Sequence, residues 1–303
     1  MTRPGCEVRT QAGYLNPKLF ADYTKIEKEL HLVDLALAEK PAGQVPLRFP
    51  LTALATGAGQ DGGLCLLAGL PAREMREKWA GGPVEVLALA YDRNDEIVVL
   101  TRSVERPAST KDDVFYLAAW AAAPPGVYRC RVVIRDLETG AAAVGATTAA
   151  VSESSPEFRL LPPLFLRANR GARYLIQGAP PGGSKKTGPA ALSERFLFDP
   201  SQYSPSSETK LGKGTEVWML VPWTGPEGFA EGLEFTARLL DLLTNDEIPL
   251  SLAVAGKTES RGLGACLLRT EIPEVEADEY RLLITAVGKD GRMSLIARDF
   301  HIE

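Results

Sequence analysis

The chain has almost no histidine: His31 and His301 are the two in its 303 residues. General acid–base chemistry near neutral pH runs most often through that side chain, so any catalysis here would fall to carboxylates. Cysteine is nearly as sparse. The four cysteines, Cys6, Cys65, Cys130 and Cys266, form no C-x-x-C pair, which removes the spacing of a zinc site. Positive charge is not in excess either. Lys and Arg number 34 against 39 Asp and Glu, a formal charge of −5, and no basic stripe marks a nucleic-acid binder. No apolar run approaches the roughly 18 residues of a membrane span. The opening "MTRPGCEVRTQAGY" lacks the apolar centre of a signal peptide. The expectation is therefore a cytoplasmic protein, or one whose leader has been removed. What is present is 45% apolar and 24% charged residues, the composition of a soluble globular protein long enough for two domains.

The chain repeats itself. Asn94-Asp95-Glu96-Ile97 recurs as Asn245-Asp246-Glu247-Ile248, Tyr128-Arg129 as Tyr280-Arg281, and Arg48-Phe49 as Arg195-Phe196. The matches keep their order at nearly one offset, which makes a tandem pair. Each copy reads as short strands. "GLCLLAGL" and "EVWMLVPW" are compact apolar runs, and "VEVLALAYDRNDEIVVLTRSVE" is a strand, a turn and a strand. "YRCRVVIRDLETGAAAVGATTAAV" and "YRLLITAVGKDGRMSLIARDFHI" close the copies as hairpins, the second turning at Asp290-Gly291. About seven strands per copy with Pro- and Gly-rich turns predict an all-β protein of two tandem immunoglobulin/fibronectin-like sandwiches. Tyr128 and Tyr280 then fit the corner tyrosine of that fold, whose hydroxyl bonds upstream backbone. Cys130 and Leu282 follow as inward positions.

One amphipathic helix is expected before the first sandwich. In "NPKLFADYTKIEKELHLVDLALAEK", Leu19, Tyr23, Ile26, Leu30, Val33 and Leu37 fall on one helical face. Asn16 and Pro17 suit its start and Pro41 its stop, giving a helix over 17–39 whose stripe packs on its own sandwich or on another molecule. The boundaries read as 1–44 for this segment, 45–153 for the first sandwich and 154–303 for the second. A Pro- and Gly-rich insertion at 178–194 is expected to be a mobile loop.

Several stretches imitate active sites. Gly178 and Gly183 have P-loop spacing, but Ser184 stands where the lysine belongs and no strand–loop–helix surrounds it. Ser207-Glu-Thr-Lys210 and Lys186-Thr187-Gly188 resemble β-lactamase motifs in reversed order, with the middle motif missing. Glu271, Glu274, Glu276, Asp278 and Glu279 make an acidic loop that offers calcium-type oxygens, yet the matching loop of the first copy is "AAAPPGVY". No catalytic, cofactor-binding or metal-ligating residue is assigned, and no cofactor is expected. Cys65 and Cys130 fall in the second and sixth strands, which immunoglobulin domains join by a disulfide. They are either such a disulfide or two buried thiols. Trp79 stands close to the immunoglobulin tryptophan but ahead of the strand that should carry it.

"VRTQAGYLNPKLFADYTKIEKELHLVDLALAE" and "PPGVYRCRVVIRDLETGAAAVGATTAAV" resemble the C-terminal region of bacterial von Willebrand factor A-related proteins, known chiefly from acidobacterial genomes. The resemblance covers most of residues 7–152. The A domain itself is missing, and with it the D-x-S-x-S metal motif; Asp199-Pro-Ser201-Gln-Tyr203 is a partial match in another context. The resemblance implies an exported, periplasmic or cell-envelope protein of which this chain is a non-catalytic part. The functional expectation is an interaction module with adhesion, scaffold or spacer duty, binding a protein partner or a preceding domain. The alternatives are a carbohydrate-binding sandwich using Trp218 and Trp223, and an enzyme using carboxylates of the 271–279 loop.

Overall fold

The computed structural model describes residues 18–41, 45–57, 62–71, 75, 77, 79, 82–106, 114–151, 157–168, 173–178, 199, 201–206, 210–226, 228–260 and 263–303. A single 3-10 turn, Phe20–Asp22, leads into α1 (Lys25–Leu37). The first sandwich follows as β1 (Leu47–Arg48), β2 (Leu51–Gly57), β3 (Gly63–Pro71), β4 (Val84–Tyr91), β5 (Ile97–Glu105), β6 (Val114–Ala122), β7 (Gly126–Asp136) and β8 (Ala142–Val151). Then come β9 (Arg159–Leu160), β10 (Leu164–Ala168), β11 (Arg173–Gln177), β12 (Tyr203–Ser206), β13 (Lys210–Leu211) and β14 (Glu216–Thr224). The chain closes with β15 (Glu234–Asp241), β16 (Glu247–Leu250), β17 (Ala253–Ser260), β18 (Leu263–Glu271), β19 (Glu279–Val287) and β20 (Met293–Ile302).

The strands build four sheets. The first outer sheet runs β1-β8-β7-β4-β5, and the second outer sheet runs β13-β20-β19-β15-β16. The two orders match strand for strand, down to the short parallel pairings of β1 on β8 and β13 on β20. The inner sheets run β11-β6-β3-β2 and β12-β10-β14-β18-β17. The protein is a tandem pair of immunoglobulin-like sandwiches preceded by an amphipathic helix.

Alternation along each strand decides what faces what. On β3, Leu64, Leu66, Ala68 and Leu70 enter the first core, with Val86, Ala88, Cys130, Val132 and Ile134 from the outer sheet. Met219, Val221, Trp223, Leu239, Leu282, Ile284 and Phe300 fill the second core. The alternate residues of the inner sheets make a third layer. Leu54, Cys65, Leu67 and Trp120 pack there on Leu164, Leu166, Leu220 and Leu267, so the sandwiches stack through their inner faces. That is why the inner strands are apolar on both faces and read as continuous runs rather than alternating ones. One close approach fixes a residue type: a Cβ on Gly264 would lie 2.0 Å from the Trp223 ring that crosses it.

Each corner tyrosine closes its corner. Tyr128 donates to the Pro124 carbonyl at 2.5 Å, and Tyr280 donates to the Glu276 carbonyl at 3.1 Å. In the repeated hairpin the residues with positive φ are Asp95 and Asn245, both at 64°, a conformation Asp and Asn tolerate. Asp95 therefore matches Asn245, one residue off the tetrapeptide identity, because the second turn is longer. Its ladder closes at Leu240–Glu247, whereas the first closes at Tyr91–Ile97. Arg195 and Phe196 lie outside the described residues, as do most of the 178–194 insertion, Lys186-Thr187-Gly188 and Ser207. The strand in β1's place is β13.

Two expectations change. β11, sequentially in the second copy, pairs in parallel with β6 and completes the first inner sheet, so the boundary at 153/154 is crossed by one strand. The helix is shorter than 17–39. Thr24 caps it, accepting from Glu27 N–H while the Glu27 carboxylate accepts from Thr24 N–H, a capping box that fixes the start. Asn16 and Pro17 lie outside the described residues.

Candidate functional site

α1 lies on the outer face of the first outer sheet, and it lies there on the face opposite to the predicted one. Leu32, Leu35 and Ala36 are buried against Leu87, Leu89, Val133, Ala142 and Val144. The seven–four–three stripe points away instead: Leu19, Ile26, Leu30, Val33 and Leu37 are 70, 72, 62, 48 and 53% exposed. Tyr23 alone of that stripe is half-buried, beside Phe20 and His31. The reason is chemical. The sheet presents arginines beside its aliphatic residues, and the polar side of α1 carries the groups that answer them.

Arg135 is buried and bonds both the Glu85 carboxylate and the Lys28 carbonyl of α1. Arg102 donates from Nε to Glu85 at 2.7 Å and from both terminal nitrogens to Glu29 of α1 at 2.8–2.9 Å. Arg131 reaches the Ala38 carbonyl at 2.6 Å and Arg48 the Glu39 carbonyl at 3.1 Å. Arg131 thus satisfies the C-cap carbonyl and Arg48 the carbonyl just beyond it, and both suit the negative dipole end of α1. Phe20 slides beneath, with Lys28 5.0 Å and Arg135 5.5 Å from its ring centre. A buried charge is retained only when paired and hydrogen-bonded, so this network holds α1 in one orientation with its aliphatic stripe facing solvent. The stripe's d–a–d–a spacing is that of a helix seam.

The other candidates sort quickly. Trp120 and Trp223 are buried, Trp79 fills the first core from the loop before β4, and Trp218 is half-buried. Trp218 donates to Glu216 at 2.8 Å, with Tyr203 packed on its ring and Arg269 over it. The acidic loop is occupied locally: the Glu276 carbonyl accepts from Tyr280, Asp278 accepts from the Glu279 N–H, and Glu279 lies 3.5 Å from His301. Among the described residues no group of three His, Cys, Asp or Glu side chains is placed to hold a metal ion. No helix among them is long and apolar enough to cross a membrane.

Cys65 and Cys130 are free. Cys130 faces the first core, whereas Cys65 faces the layer between the sandwiches, on the far side of its own strand. Two side chains on opposite faces of β3 and its partner sheet cannot be bridged. Leu64 and Leu66 take the core side. Burial pushes the Cys130 and Cys266 thiols up to about 12 and Cys65 well above its ordinary value, the state of inert core thiols.

No family model matches the chain, and no curated protein matches it. Among solved structures it is similar to an ectodomain fragment of ICAM-5 (D1-D4), at 12% identity and TM-score 0.25, over 84% of this chain and 53% of that one. It is also similar to a tetra-tandem repeat from the extending region of a large adhesion protein, at 9% identity and TM-score 0.24, over 84% and 49%. A third is the C-terminal domain of the AgI/II polypeptide BspA of Streptococcus agalactiae, at 9% identity and TM-score 0.23, over 85% and 100%. The chain spans about half the length of the first two. Likeness of this degree describes strands in sheets and says nothing of a shared site.

Proposed function

We propose that the chain is a non-catalytic interaction module that binds a protein partner, or a domain preceding it, through the outward stripe of α1. The observation that carries this is the helix's orientation: four large aliphatic residues of α1 at seam spacing, Ile26, Leu30, Val33 and Leu37, are exposed while buried Arg131 and Arg135 hold the opposite face. Contiguous exposed apolar surface of that kind marks contact sites, and an apolar seam is read by another helix. The carbohydrate reading loses its support, since Trp223 is buried and Trp218 already carries Tyr203 and Arg269 on its ring. In the 271–279 loop the Asp278 carboxylate accepts from the Glu279 N–H and the Glu279 carboxylate lies beside His301, which lends the enzyme reading no support. Export to a cell envelope, implied by the resemblance of residues 7–152, belongs to the same proposal.

The test is a synthetic amphipathic helix with Leu and Ile at its seam, titrated against the full chain by fluorescence anisotropy. Binding should weaken at least tenfold in Leu30→Glu with Val33→Glu, while the melting temperature holds. Equal binding by that double variant removes the α1 surface. A reproducible turnover abolished by a single carboxylate substitution sinks the non-enzyme reading.

A further inference from the structure

A cleft of about 560 Å³ runs where the two sandwiches meet at one edge. Residues 51–55 of β2 and 147–150 of β8 line it in unbroken runs. A sheet face presents every second residue, so unbroken runs mean that the cleft follows strand edges. The topology agrees: β2 ends the first inner sheet, and β8 is bordered by β1 only at Ala143 and Val144. The opposite wall is 161–163 with Pro222, Ala297 and Arg298. Among the described residues the lining of the cleft is mostly apolar, with three threonines and one charged side chain, Arg298.

Arg298 is out of place energetically. It sits on the inward side of β20, its guanidinium 4.5 Å from the Phe165 ring centre, and spends one nitrogen on the Pro163 carbonyl at 2.5 Å. No carboxylate among the described residues pairs with it. Its neighbour Asp299 faces the other side of the strand and is engaged by Arg281. Burial lowers the Arg298 pKa below its ordinary value, with no charged neighbour contributing. A part-buried guanidinium that meets no carboxylate among the described residues is costly to keep there. The fold does not require it, because strand register puts Thr147 at the same place in the first sandwich: Thr147 pairs with Cys130, and Arg298 with Leu282. Both of those partners stand two residues after a corner tyrosine.

We infer that this cleft binds an extended peptide segment carrying a carboxylate, with the peptide along the free edge of β2 and the carboxylate on Arg298. An edge strand supplies backbone hydrogen bonds to an added strand. A guanidinium supplies a planar fork that fits a carboxylate with two parallel hydrogen bonds. The Pro and Ala walls accept small aliphatic side chains. The carboxylate belongs either to an Asp or Glu side chain or to a chain terminus, and both present the same group.

The experiment uses the full chain and pools of Val/Thr/Ala hexapeptides. One pool carries a single Asp or Glu, its match carries Asn or Gln, and each is made with free and with amidated ends. Carboxylate-bearing peptides should bind at least tenfold more tightly than amidated neutral ones. Preference for amidated acidic peptides identifies a side-chain carboxylate, and preference for free-ended neutral peptides identifies a terminus. Arg298→Met should erase the preference while the melting temperature stays level or rises, since an uncompensated charge is removed. Ala150→Trp, at an exposed lining position, should block binding with Arg298 intact. Binding that ignores the carboxylate, or a preference that survives both variants, overturns the assignment. Leu30→Glu leaves this site untouched, so its failure and that of the α1 surface are separable.

Discussion

On the first outer sheet, Leu87, Leu89 and Val133 point outward and are buried by α1. Strand register puts Thr236, Arg238 and Thr285 at the same places on the second. Glu85, buried between Arg135 and Arg102, has Glu234 as its exposed counterpart, and Arg135 itself is matched by Val287. The two sheets thus share strand order, hairpins and corner tyrosines, and differ in whether their outer face expects a cover. The backbone of this fold is indifferent to what lies outside it. Three aliphatic-to-polar exchanges and one salt bridge decide that a helix sits on one copy and water on the other.

Breaking the salt bridge should have the largest effect. Glu85→Ala leaves Arg135 buried without its carboxylate and is expected to cost about 3–5 kcal/mol, as uncompensated buried charges do. Glu234→Ala on the second sheet should stay within about 0.5 kcal/mol. Urea denaturation of the two variants reads the difference directly. Similar losses in both would mean that the sheets are not distinguished by burial of this ion pair.

The next effect belongs to the buried face of the helix. Leu35 is 1% exposed beneath α1, and Leu35→Ala should cost roughly 2–4 kcal/mol through lost transfer energy and a residual cavity. Leu30→Asp, on the stripe that sequence periodicity alone would bury, should change stability by about 0.5 kcal/mol or less. If the order were reversed, the helix would sit on its other face and the proposed contact surface would be gone.

That reversal marks the limit of what periodicity can say. The stripe Leu19, Ile26, Leu30, Val33 and Leu37 was the more regular apolar face, and Leu32, Leu35 and Ala36 the lesser one. Hydrophobic pattern reports that a face seeks a partner without saying which partner. The deciding groups were Arg102, Arg131 and Arg135, which in a strand read as solvated positions and gave no sign that they pointed at a helix. The tandem sandwich, by contrast, was legible from local signals: Tyr128 and Tyr280 at their corners, Asp95 and Asn245 in their turns, Gly291 in its hairpin at φ 81°. The sequence left Cys65 and Cys130 open between a disulfide and two buried thiols, because a run such as "GLCLLAGL" is buried on both faces. Alternation then no longer tells the core side from the side between the sandwiches. Arg298 had no signature at all, since its meaning lies in how it faces a cleft where no carboxylate among the described residues meets it.

A smaller effect tests what the sheets share. Tyr128→Phe and Tyr280→Phe each remove one hydrogen bond to a backbone carbonyl and should each cost about 1 kcal/mol. The corner carbonyl bond is the same in both copies, and Tyr280 also has a side-chain contact with Asp241, so its loss should equal or slightly exceed that of Tyr128. A loss in one copy alone would show that the corner is maintained by other contacts in its partner.

The smallest effect is a pH dependence confined to the covered face. His31 is half-buried on the sheet-facing side of α1, 5.4 Å from the Phe20 ring and with Nδ1 3.5 Å from a nitrogen of Arg135. Burial, and then the Arg135 charge, hold its pKa below the ordinary 6.5, against a weaker opposite pull from Asp34. The sign follows from proton uptake. Below pH 6.5 the unfolded imidazole takes a proton that the folded one refuses, so stability is full above that pH and declines as pH falls. The decline levels off once the folded imidazole protonates in turn. Glu27, held near about 2 by its bonds to Lys18 and Thr24, gives its own loss only between pH 4.5 and 2, clear of this window. Amide exchange in α1, corrected for the intrinsic rate, should therefore quicken as pH falls below 6.5 while β14 and β18, which carry no histidine, hold steady. His31→Gln should flatten the response. A response that persists in His31→Gln, or that appears equally in β14 and β18, would take the titrating group away from the covered face.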